Sequence, residues 1–64
     1  MKLSDLISVL NADNIIRVML GDNSIFEGLN RYAFDLPDIY QNMKVIYLYI
    51  TPFKELKIEI SEED

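Results

Sequence analysis

Residues 55–60 read Glu-Leu-Lys-Ile-Glu-Ile, a strict alternation of charged and apolar side chains. Successive side chains of a strand point to opposite faces of a sheet, so this pattern predicts a strand with one buried and one wet face. Residues 44–51, just upstream, carry the strongest strand pattern of the chain. Pro52 ends it, because proline cannot donate to a sheet ladder. The chain must therefore build a sheet and cover one side of it.

The preceding segments supply two more strands and two short helices. Apolar residues at helical spacing predict a helix over residues 4–10, with Ser4 as its N-cap and Asp5 in its first turn. Strand patterns over residues 15–20 and 25–29 flank a polar turn and predict a hairpin. Pro37, with Asp35 as a cap, predicts a short helix over residues 37–41.

These elements predict an α+β fold in the order α-β-β-α-β-β. The economical arrangement is a four-stranded, mainly antiparallel sheet with the helices packed on one face. A single domain is expected over residues 1–60, and residues 61–64, Ser-Glu-Glu-Asp, are expected to form an acidic solvated tail. With 64 residues and neither Cys nor His, disulfides and the usual zinc ligands are excluded as stabilisers. Either an efficient core or a partner chain is then needed, and a homodimer is as well supported as a monomer.

Charge and hydropathy exclude two classes of partner. Six basic against 11 acidic residues give a net charge of −5, without the basic patch that direct nucleic-acid binding requires. The apolar stretch near the N-terminus is broken by Ser8 and Asn11 and does not resemble a signal-peptide core. The longest apolar run, residues 45–50, is too short to span a membrane. We expect a cytoplasmic protein with no membrane contact.

Catalytic and cofactor chemistry finds no support in the pattern. Cys and His are absent, and spacing suggests no base for any of the serines, which are Ser4, Ser8, Ser24 and Ser61. Asp35 and Asp38 are explained more simply by capping and solvation than by acid–base work. The polar turn at residues 22–24 lacks the spaced acidic ligands of a calcium loop. We therefore predict no enzyme, no metal and no cofactor.

The aromatic residues are the most informative candidates for a site. Alternation along residues 45–51 assigns Ile46, Leu48 and Ile50 to one face, which should meet the helices. It assigns Val45, Tyr47, Tyr49 and Thr51 to the other, where Arg17 and Met19 of another strand are expected as neighbours. Tyrosine combines a broad contact area with a polar tip, which favours a protein-binding face. Simple covering of the sheet by cross-strand pairs is an equally open alternative.

Two further groups are candidates for partner binding. Tyr32 and Tyr40 flank Phe34; we expect Phe34 in the core with the tyrosines over its edge, and a recognition loop is the alternative. Glu55 and Glu59, with the acidic residues 62–64, suggest a surface that imitates nucleic acid. Lys54 and Lys57 interrupt that run of acids.

Several segments together resemble small proteins encoded by phages, prophages and integrative elements of low-GC Gram-positive bacteria. The segments are residues 3–10, Ile25-Phe26-Glu27-Gly28, Leu36-Pro37, residues 45–49 and residues 56–60. Residues 30–34 depart from this resemblance, because the segment is longer and more aromatic than is expected for such proteins. Such proteins have no assigned activity, so the resemblance implies a genomic setting and no site residues.

The leading functional hypothesis is a non-enzymatic intracellular module that binds, and thereby inhibits or occupies, another protein. One alternative is an acidic nucleic-acid mimic such as an anti-CRISPR or anti-restriction protein. The other is a structural homo-oligomer that pairs through its sheet face or a strand edge.

Overall fold

The computed structural model describes residues 1–62, which contain two α-helices, one 3₁₀ helix and four strands. In chain order they are α1 (Leu3–Val9), β1 (Ile15–Leu20), β2 (Asn23–Leu29), a 3₁₀ helix (Asn30–Asp35), α2 (Asp38–Gln41), β3 (Lys44–Ile50) and β4 (Leu56–Ser61). The predicted α+β class and the order of helices and strands are confirmed. The 3₁₀ helix was not predicted, and it occupies the segment that departs from the family resemblance.

The sheet has four strands in the order β2-β1-β4-β3. β1 pairs with β2, and β3 with β4, in antiparallel fashion. The central pair, β1 with β4, is parallel, with Val18 opposite Ile58. The sheet is therefore mostly antiparallel, as predicted, but its centre is a parallel contact between strands far apart in sequence.

The core lies on one face of this central pair. Alternate residues of β1 and β4, Ile16, Val18, Ile58 and Ile60, are at most 1% exposed. They form one cluster with residues outside the sheet, which are Leu3, Leu6, Ile7, Ala33 and Met43. The strict alternation of residues 55–60 thus places Ile58 and Ile60 in the core, as the pattern predicts.

Both predicted helix caps were wrong. α1 begins at Leu3, and the backbone N–H of Lys2 donates to Asp5 Oδ2 at 3.2 Å, so Ser4 lies inside the first turn. The cause is a tertiary contact: the N–H of Leu3 donates to the carbonyl of Met43 at 2.9 Å and fixes the start of the helix beside β3. Asp35 closes the 3₁₀ helix instead of capping α2, whose N-cap is Pro37.

The predicted faces of β3 need correction. The pairing with β4 is irregular between Val45 and Tyr47, so that Ile46 is an extra, bulged residue. Val45 consequently lies opposite buried Ile60 and packs against the core, and not on the tyrosine face. The apolar residues expected to meet the helices are exposed instead: Ile46 54%, Leu48 46% and Ile50 71%.

Two smaller predictions also fail. Phe34 is 54% exposed, and the neighbouring Ala33 takes the core position in the 3₁₀ helix. β4 includes Ser61, which was expected to belong to the C-terminal tail, and Glu63 and Asp64 lie outside the described residues. Among residues 1–62, no helix has the length and apolar composition needed to cross a membrane.

A buried amide joins α1 to the 3₁₀ helix. Asn30 is 1% exposed, and its Nδ2 donates to the carbonyls of Ile7 at 3.0 Å and Leu10 at 3.3 Å. These carbonyls belong to the end of α1, where the helix itself offers them no partner. Asn30 thus satisfies the C-terminus of α1 from the first residue of the 3₁₀ helix.

Replacing this amide by a carboxylate tests the contact. Asn30→Asp keeps the side-chain shape but removes both donors and turns an oxygen towards the two carbonyls. We expect a loss of about 1–3 kcal/mol in the free energy of unfolding, measured by urea denaturation. Asn23→Asp, at the exposed first residue of β2, is the matched control and should change the value by less than ~0.5 kcal/mol. Equal effects at the two positions would contradict this role for Asn30.

Candidate functional site

The side of the sheet opposite the core carries the residues that sequence reasoning selected. Strand pairing aligns them in two rows. The first row runs Glu27–Arg17–Lys57–Tyr49 and the second Met19–Glu59–Tyr47. We call these seven residues the outer face. Because β1 and β4 are neighbours, Arg17 and Glu59 join the two tyrosines on one surface.

The tyrosines form a contacting pair at the β3 end of the outer face. The ring centroids of Tyr47 and Tyr49 lie 5.1 Å apart, with the ring planes tilted by 57°. The Lys57 ammonium lies 5.6 Å from the centroid of the Tyr49 ring, within the range of a cation–π contact. Tyr47 remains 58% exposed, whereas Tyr49 is half-buried. The pair therefore presents to solvent an aromatic surface whose rings are held by contacts with each other and with Lys57.

Arg17 occupies the middle of the first row and is held by two carboxylates. Its Nη2 donates to Glu27 Oε2 at 2.6 Å, and its Nε lies 3.4 Å from Glu55 Oε1 in an ion pair without hydrogen-bond geometry. The hydrogen bond from Arg17 to Glu27, followed by the charges of Glu27 and Glu55, raises the pKa of Arg17 above its ordinary value. The guanidinium is thus a permanent cation whose neighbours compensate it locally.

This pairing changes the electrostatics expected for the acidic candidates. Glu55 and Glu27 both face Arg17, and Glu59 stands between Met19 and Tyr47 in its row. The described carboxylates share this face with two cations, Arg17 and Lys57, instead of forming a uniform negative strip. A phosphate-like array requires repeated uncompensated charges.

Tyr32 and Tyr40 lie elsewhere. Tyr32 is 56% exposed on the 3₁₀ helix, and Tyr40 of α2 is partly buried against the core. The structure thus gathers Tyr47, Tyr49, Arg17, Glu55 and Glu59 around the outer face and leaves out the other two candidates.

Sequence reasoning missed Lys57 and Glu27 as members of this surface. Lys57 was detectable, because it is two residues from Glu59 on an alternating strand and must share its face. Glu27 was not, since its position depends on the register that places it opposite Arg17.

Other concave or charged regions offer less chemistry. A concavity of about 360 Å³ lies between the N-terminus, α2 and the ends of β3 and β4, with Lys2, Lys44 and Glu62 as its charged lining residues. Within residues 1–62, no cluster of three or more Asp or Glu side chains is arranged to hold a metal ion.

Neither a family model, nor a curated protein, nor a solved structure matches the chain. The outer face must therefore be interpreted from its own geometry.

The Arg17–Glu27 contact gives a direct test of this geometry. Arg17→Met and Glu27→Gln should each lower the urea midpoint, and the double variant should lower it by less than the sum of the two. The reason is that each single change removes the same ion pair, and Arg17→Met also deprives both Glu27 and Glu55 of their shared cation. Salt at molar concentration should shrink the coupling. Strictly additive effects at low salt would show that the two side chains do not interact.

Proposed function

We propose that the chain is a non-enzymatic, intracellular protein-binding module that acts by covering a surface of another protein with its outer face. The observation that carries the proposal is the contacting pair Tyr47–Tyr49, one ring of which is largely exposed at the edge of a sheet. The family resemblance adds a phage or mobile element as the genomic setting, with a host protein as the natural target.

The shape and chemistry of the outer face suit protein recognition. Tyrosine has few rotatable bonds, so its ring gives large contact area at low entropic cost, and its hydroxyl group adds a hydrogen bond. Contact between the two rings, and of Lys57 with Tyr49, restricts them further before any partner arrives. Such preorganisation favours affinity, since less freedom is lost on binding.

The charges beside the tyrosines suggest the partner's chemistry. Lys57 and Glu59 bear opposite charges and lie opposite Tyr49 and Tyr47 respectively on the neighbouring strand. A complementary surface would offer an apolar centre for the rings and both an acidic and a basic group beside it. Charges arranged in this way set specificity and register more than raw affinity.

Mimicry of nucleic acid has weaker support. Arg17 compensates Glu27 and Glu55, and Lys57 lies within the same face. We therefore rank the mimic below the aromatic binding face.

Capture from a lysate of a low-GC Gram-positive bacterium tests the proposal. The tagged chain is compared with Tyr47→Ala/Tyr49→Ala and with Tyr32→Ala, a matched control because Tyr32 and Tyr47 are 56% and 58% exposed. We expect one protein to be held by the wild type and Tyr32→Ala and lost by the double variant. With the purified partner, the double variant should bind at least about 30-fold more weakly, as for a binding hot spot of ~2 kcal/mol.

Circular dichroism of each variant checks that the fold is retained. Undiminished capture by a folded double variant would contradict the proposal. Loss of capture in Tyr32→Ala alone would indicate that the binding surface lies on the 3₁₀ helix and not on the outer face.

A further inference from the structure

β3 is an edge strand with a short free stretch. It lies at the end of the sheet order, paired with β4 on one side. On its other side the N-terminus covers its beginning: the N–H of Val45 donates to the carbonyl of Met1 at 2.8 Å, and Lys2 bridges to Lys44. At its far end the chain turns, with the N–H of Lys54 donating to the carbonyl of Thr51 at 3.0 Å. Between these two points lie residues 46–50, which we call the free stretch. On the edge of β3 away from β4, no strand within residues 1–62 pairs with it.

The backbone of this stretch is directed to accept another strand. The N–H of Thr51 donates towards the β4 side, to the carbonyl of Glu55 at 2.8 Å. In an antiparallel ladder the bonding direction alternates from residue to residue, so the N–H and C=O groups of Leu48 and Ile50 point to the free edge. Unpaired backbone groups of this kind are a template for a further strand.

The side chains of the free stretch lack the usual protection of an edge. It holds no charge, no proline and no glycine. Four of its side chains are strongly exposed: Ile46 54%, Tyr47 58%, Leu48 46% and Ile50 71%. Proteins normally prevent an edge strand from pairing with another chain by placing charged residues or proline on it or by covering it with another segment. An apolar edge without such protection therefore indicates a partner strand.

The sequence of the stretch identifies that partner. Residues 46–50 read Ile-Tyr-Leu-Tyr-Ile, which is the same in both directions. Two antiparallel copies related by a two-fold axis at Leu48 therefore match like with like: Ile46 lies opposite Ile50, Tyr47 opposite Tyr49, and Leu48 opposite Leu48. Aromatic and β-branched cross-strand pairs are among the favourable ones in sheets.

We propose that the chain forms a symmetric dimer in which the two β3 edges pair antiparallel about Leu48. This contact joins two four-stranded sheets into one continuous sheet and closes both free stretches, so it does not propagate. Although each copy carries a net charge of −5, the paired residues carry none, and no like charges are opposed within the ladder. Pairing with a strand of a different protein would not require the sequence of residues 46–50 to be symmetric, so this symmetry favours a second copy of the chain as the partner.

The dimer also enlarges the outer face. Tyr47 and Tyr49 of one copy lie beside Tyr49 and Tyr47 of the other, so the aromatic surface becomes continuous across the two-fold axis. The association itself requires no other protein and can be tested without one.

Sedimentation velocity of the purified chain over a range of micromolar concentrations tests the association. The wild type should be a dimer, and Leu48→Lys should be a monomer, because it places two cations face to face on the axis. Val9→Lys is the matched control, since Val9 is 76% exposed on α1, and it should remain dimeric. A monomeric wild type, or a dimer that survives Leu48→Lys, would overturn the proposal.

A charge pair tests the register. Ile46→Lys and Ile50→Glu should each weaken the dimer, because each sets a charge opposite isoleucine. Combined in one chain, they set lysine opposite glutamate twice across the axis and should restore association, with a dissociation constant below that of either single variant. A combined variant no better than the single ones would overturn the pairing about Leu48. Dimerisation that depends on these positions supports the proposal whether or not a bound host protein is found.

Discussion

The parallel pairing of β1 with β4 is the contact on which the rest of the structure depends. It joins two antiparallel pairs, β1–β2 and β3–β4, that are otherwise separated by the helical segments. Val18 and Ile58 meet across it with no exposed surface, and the buried side chains of α1 belong to the same core. Pairing strands that are far apart in sequence has an entropic cost, because a long loop must be closed. The burial of apolar side chains in the core on one face of the two strands offsets this cost.

The same contact creates the outer face. With β1 beside β4, Arg17 lies opposite Lys57, which in turn lies opposite Tyr49 on β3. Cations, carboxylates and aromatic rings thus share a surface, although their positions in sequence are far apart. The two faces of the sheet thus differ: one face of β1 and β4 holds the core, whereas the outer face and residues 46–50 of β3 carry exposed side chains such as Tyr47 and Ile50.

Local pattern predicted what depends on local chemistry. The bounds of β1 were predicted as they occur, and alternation alone placed Tyr47 and Tyr49 on one face. Prediction from local pattern failed where contacts with segments distant in sequence determine the structure. The parallel neighbour of β1 leaves no trace in its own sequence, and a bulge at Ile46 moved Val45 to the core side. The hydrogen bond from Leu3 to Met43 likewise overrode the capping preference of Ser4.

The most direct measurement is the pattern of nuclear Overhauser effects between backbone protons of β1 and β4 in the isotope-labelled chain. We expect the contacts of a parallel ladder, with Arg17 beside Lys57 and Val18 beside Ile58, and side-chain contacts from Lys57 to the Tyr49 ring. Absence of β1–β4 contacts, or contacts of β1 with β3 in their place, would separate Arg17 from the tyrosines and contradict both the fold and the surface built on it.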